Sequence, residues 1–153
     1  MTYTTNIILT EKYEVLKPVK VLLAGLAATA VMTIFMLIGS ATGLLQINTG
    51  ILLGALLGGH VALGWIAHLV IGCLFAFIYV MFFNHTLPVI NDIFRGTLFG
   101  IIVFVFSEMT FFVINFTGVL TWDQKEGMAL MVFGNCIAHL IYGAVLGAFF
   151  KNK

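Results

Sequence analysis

The chain has 153 residues, of which 61% are hydrophobic and 8% charged, and its formal net charge is +1. A soluble domain carries roughly a quarter of charged residues, so this composition excludes one and points to an integral protein of the lipid bilayer. No basic field is present, and a nucleic-acid partner is excluded with it.

Residues 1–17 read as a tail on the cytoplasmic side. Leu9, Tyr13 and Leu16 recur at helical spacing, which suits a short amphipathic stretch on the membrane surface. Thr4, Thr5, Asn6, Glu11, Lys12 and Glu14 precede the first apolar run, which is itself too long for the core of a cleavable signal. Residues 18–153 then form one transmembrane domain.

The first span is expected at 19–44, opened by Lys17 and by Pro18, a residue suited to a first helical turn. The stretch 49–59 (TGILLGALLGG) is apolar but falls short of the ~20 residues that cross a bilayer. It is either a short interfacial or re-entrant helix or a lengthening of the next span. The second span covers 61–83 and closes at Asn84, His85 and Pro88; the third covers 94–116 and the fourth 127–150. Short connections make neighbouring spans antiparallel, so the fold expected is an all-α, up-down-up-down bundle of four transmembrane helices.

Alternating spans put Lys12, Lys17, Lys20, Arg95, Lys151 and Lys153 on one side and Lys125 alone on the other. The positive-inside rule then places both termini in the cytoplasm, with Trp122 anchoring the far loop.

The tetrapeptide IAHL occurs at 66–69 and again at 137–140, each copy followed by a glycine, Gly72 or Gly143. A compact residue precedes each histidine by four positions, Gly64 before His68 and Asn135 before His139. Lys20, Gly25 and Met32-Thr33 echo Arg95, Gly100 and Met109-Thr110 with a slip of two residues. These matches describe two tandem helical hairpins related by an axis along the membrane normal. The second and fourth spans are then parallel and diagonal, and His68 faces His139 at similar depth.

The segments AGLAATAVMT, GWIAHLVIG and AHLIYGAVLG, with a glycine-bearing third span between the last two, resemble a family of small, uncharacterised bacterial four-span membrane proteins. The resemblance runs from about Lys20 to the C-terminus and rests most on Gly64, His68, Gly72, His139, Gly143 and Gly147. It implies a four-span bundle with a short helix before the second span, in the bacterial inner membrane, and no known activity. The third span departs from that pattern at Ser107, Glu108 and Met109, so the resemblance says nothing of Glu108.

Ionisable groups in hydrocarbon are costly and raise a functional question by default. Here they are His68, His139 and Glu108, with His60 at the outer edge. One reading is a haem b ligated by both histidines, whose diagonal helices supply opposite axial positions. Gly64 and Gly72 around His68, and Asn135 and Gly143 around His139, would leave room for the porphyrin. A second reading is a copper, iron or zinc site of His68, His139 and Glu108, with Met32, Met36 or Met109 added for copper(I). The plain reading is that the histidines hydrogen-bond between helices, to Glu108, Thr33, Thr110, Asn115 or Asn135.

Cys73 and Cys136 lack metal or redox spacing and read as small hydrophobes. Gly39 and Gly43, Gly54 and Gly58, and Gly143 and Gly147 have the spacing of close helix contacts. Phe104, Phe106, Phe111 and Phe112 suggest a face towards lipid or another subunit. No nucleophile–histidine–acid set, HExxH, P-loop or GxGxxG is present, and the loops are too short for a soluble active site. The expected function is therefore a non-enzymatic membrane subunit or accessory protein, self-associating or joined to a larger membrane complex. The rival is a small transporter or proton conductor using His68, Glu108 and His139 as a relay.

Overall fold

The computed structural model describes residues 18–43, 45, 48–85, 90–116 and 128–151. The tail, Trp122 and Lys125 lie outside them, as do the expectations that rest on these residues. Helix α1 spans Pro18–Ala41 and the short α2 spans Thr49–Leu56. Helix α3 spans Val61–Ile78 and runs on as a π-helical turn, Tyr79–Phe83. Helices α4 and α5 span Asp92–Phe116 and Met128–Phe149. No strand occurs among the described residues. The four long helices are each long and apolar enough to cross a membrane, so the molecule is an all-α, multi-pass membrane bundle.

Its interior reverses the rule for soluble proteins. Small residues, such as Gly25, Ala28, Thr29, Gly72, Ala76, Gly100 and Ala138, share the centre with Tyr79, Phe99, Tyr142 and Leu146. Large side chains such as Ile34, Phe82, Phe112 and Phe116 face out. Lipid is as apolar as leucine, so helices gain from close backbone approach rather than from hiding leucine.

The stretch before α3 is a separate short helix rather than a lengthening of it. After α1, Gly43 takes a φ of 75°, and Leu45 folds back so that its N–H donates to Gly39 O at 2.9 Å. Asn48 then caps α2, its Oδ1 accepting from Ile51 N at 3.0 Å. Gly58 and Gly59, at φ 72° and 85°, reverse the chain into α3. Gly50 and Gly54 lie against Gly64, and Gly54 also against His60 and Val61, so α2 runs antiparallel along the first turns of α3. Gly43 and Gly58 are thus turn residues and not the helix contacts that their spacing suggests.

The long helices are ordered α3, α1, α5, α4 around the bundle, with α1 packed on α3 and α5, and α4 on α5. Gly25 meets Gly72, Cys73 and Ala76 between α1 and α3. Gly96 and Gly100 interlock with Gly143 and Gly147 between α4 and α5. The pairs Gly25–Gly72 and Gly100–Gly143 occupy matching places in the two hairpins. Helices α3 and α5 are diagonal, and Tyr142 bridges them by donating its hydroxyl to Gly72 O at 2.6 Å.

Helices α3 and α4 meet mainly towards the Pro18/Phe149 end, where Phe75, Tyr79 and Phe83 lie against Phe99. Arg95 is buried there, 1% exposed, and paired with Asp92 one turn earlier. It is not the solvated anchor that its charge suggests, because α4 begins at Asp92 and carries Arg95 into the packed layer. Both Asn84 amide atoms are buried here and meet no hydrogen-bond partner among the described residues.

Candidate functional site: a cavity beneath two histidines

Because α3 and α4 diverge away from the Phe75–Phe99 contact, a cavity of about 350 Å³ opens between the helices. All five helices line it, among them Met32 and Met36 of α1, Leu52 and Leu53 of α2, and Phe75 of α3. Ile71, Leu74 and Phe106 lie on its wall and are also exposed on the outer surface. The cavity therefore opens sideways, between α3 and α4, where a bilayer would lie.

Its polar band comes from His68, Ser107, Glu108, Asn135 and His139. At about 1.5 Å per residue, His68 is roughly 10 Å from the start of α3, Glu108 roughly 12 Å from the end of α4, and His139 roughly 16 Å from the start of α5. The three thus share the half of the bundle near Ala41 and Met128. Both histidines are 8% exposed.

Each ring is held by a neighbour. His68 Nε2 lies 3.2 Å from Thr33 Oγ1 of α1, and Trp65 stands edge-on to the ring. His139 Nδ1 lies 2.8 Å from the carbonyl of Asn135, one turn earlier, and Phe104 covers the ring. Asn135 Nδ2 donates to Glu108 Oε1 at 2.6 Å and lies 3.4 Å from Ser107 Oγ. Glu108 is thus bonded to Asn135 and not to either histidine.

His68, His139, Glu108, Gly72 and Asn135 all reach the cavity wall, as do Met32 and Met36. Gly64 and Gly143 do not: the space beside them is taken by α2 and by Gly96 and Gly100 of α4. Gly72 is covered by Thr29. The glycines flanking the histidines thus bring helices together, where room for a porphyrin was expected. His60 is exposed at the start of α3, and Met109 faces outward. Among the described residues, no three His, Cys, Asp or Glu side chains gather as ligands of one metal ion. Phe112 faces outward, whereas Phe106 and Phe111 line the cavity.

Among the wall residues that escaped the sequence reading are Tyr142 and Thr29. Tyr142 occupies the place of Ile71 in the other copy of the repeat, and this exchange was the available signal. Thr29, whose hydroxyl donates to Gly25 O at 2.8 Å, had none.

A profile of a family of unknown function, DUF6789, matches residues 15–152. The chain belongs to this family. No curated protein and no solved structure matches it. For this DUF6789 protein, function must therefore be argued from the cavity. Its shape fits a small-molecule site: concave, mostly apolar, with a few convergent polar groups.

Proposed function

We propose that this protein binds a lipophilic small molecule within the membrane, in the cavity that carries His68, His139 and Glu108. The supporting observation is a cavity of about 350 Å³ with largely apolar walls, on which His68, Ser107, Glu108, Asn135 and His139 place a polar band. Ligand pockets of about 300–1,000 Å³ have this character. The protein would act as a small accessory or carrier subunit of the bacterial inner membrane, with both termini cytoplasmic. Lys20 and Lys151 on one end of the bundle support that orientation. We read the chain as two tandem hairpins, a view supported by the matching pairs Gly25–Gly72 and Gly100–Gly143.

One observation favours haem b as the occupant. A ligating histidine usually donates its other ring N–H to a carbonyl or carboxylate, as His139 does to Asn135 O. His68 would have to release Thr33 to serve as the second ligand.

The protein purified in mild detergent from haem-replete cells tests both readings. Organic extraction and mass spectrometry should recover a lipophilic compound near one per chain, lost when Ser107→Trp fills the cavity. Equal recovery from the Ser107→Trp variant would overturn the proposal. A Soret band that disappears in His139→Ala would identify the occupant as haem, and a colourless, compound-bearing preparation would remove haem.

A further inference from the structure

A carbonyl oxygen can only accept, so the 2.8 Å contact to Asn135 O requires His139 Nδ1 to carry the proton. A charged ring is costly in hydrocarbon, so the imidazole is neutral and its Nε2 presents a bare lone pair.

Four further groups on the wall have their hydrogens engaged. Thr29 donates to Gly25 O at 2.8 Å, Thr110 to Phe106 O at 2.9 Å, and Tyr142 to Gly72 O at 2.6 Å. Asn135 turns its amide hydrogens to Glu108 Oε1 and Ser107 Oγ, at 2.6 and 3.4 Å. Each of these groups keeps lone pairs but has no hydrogen left for a guest. Ser107, Asn48 and Thr49 on the same wall can donate, whereas the acceptors that the fold holds towards the cavity are His139 Nε2 and the Glu108 carboxyl.

Resting on the reading of the cavity as a ligand site, we propose that its ligand is a lipid-soluble hydrogen-bond donor. Its head is a hydroxyl of phenolic type that donates to His139 Nε2 or Glu108. Its apolar body lies along Met32, Met36 and Phe75 and leaves between α3 and α4. A guest with only carbonyl or ether oxygens would leave His139 Nε2 unmatched.

The test compares 4-nonylphenol with 4-nonylanisole, which differ in replacing the donor O–H by O–CH₃. Each is titrated calorimetrically into the full-length protein in lipid nanodiscs, with empty nanodiscs subtracted. The phenol should saturate at one per chain and bind about tenfold or more tightly than the anisole, the range of one buried hydrogen bond. In His139→Phe that preference should fall to about twofold or less while anisole binding persists, which also shows the variant is folded. Glu108→Gln keeps the oxygen that Asn135 uses and turns the other into a donor. It should lower the preference too, and it carries the test if His139→Phe does not fold. Equal binding of the two probes by the wild type, or a preference unchanged in the variants, would overturn the donor proposal and leave the cavity reading standing. Binding of neither probe would overturn both.

Discussion

Asn135, which the sequence offered as a compact neighbour of His139 and as one candidate hydrogen-bond partner, ties the polar band together. Its side chain holds Glu108 and its carbonyl fixes the ring of His139, so one residue sets both acceptors. Asn135→Leu strands the carboxylate and should destabilise the protein by about 1–3 kcal/mol, the cost of leaving a buried polar group unmatched. The double variant Glu108→Leu/Asn135→Leu should recover most of that loss, because both partners leave together. Thermal unfolding in detergent measures the cycle, and simple additivity would show that the pair is not coupled. The histidines were legible because an imidazole stands out in an apolar helix. Thr33 and Asn135 stood among the candidate partners, but only the packing selects Thr33, 35 residues from His68 and on another helix, for one ring and the Asn135 carbonyl for the other.

At the level of elements, glycine decides where helices meet. The α4–α5 pair interlocks through Gly96, Gly100, Gly143 and Gly147, whereas α2 touches α3 through Gly50, Gly54 and Gly64. A Cβ on Gly96 would strike the Gly143 carbonyl, and one on Gly64 would strike the Gly50 carbonyl. Backbone cannot give way as a side chain can, so Gly96→Ala should lower global stability by about 1–3 kcal/mol. Gly64→Ala should instead loosen a peripheral hairpin. Hydrogen exchange should quicken in α2 and leave α4 and α5 unchanged; faster exchange throughout the bundle would contradict this division. Gly143 and Gly147 were readable as a contact pair from their spacing. Gly43 and Gly58 had the same spacing signal and became turns, because spacing does not report φ.

The whole molecule is a bundle opened on one side. Glycines close the seams between α1 and α3 and between α4 and α5, α1 packs on α5, and the cavity lies beside the seam between α3 and α4. Basic residues gather at the Pro18/Phe149 end, and His60 is exposed at the other. In a Cys73→Ala/Cys136→Ala background, His60→Cys should react with a membrane-impermeant maleimide from outside the cell. Lys151→Cys should react only after the membrane is breached. The opposite pattern would invert the orientation, and labelling of both from one side would contradict four crossings.

Composition and the lengths of four apolar runs were enough for the sequence by itself to determine a four-span helical membrane protein. Backbone hydrogen bonds must be satisfied within each span, and apolar length meets thickness almost independently of neighbours. The repeated IAHL likewise set His68 and His139 on parallel, diagonal helices. Only the tertiary structure decided that α2 folds back, that Gly64 and Gly143 serve helix contacts, and that Arg95 is buried. It alone showed a cavity beside the two histidines. Those outcomes depend on which small residues meet across separate helices, a matter of packing between distant segments that no local pattern records.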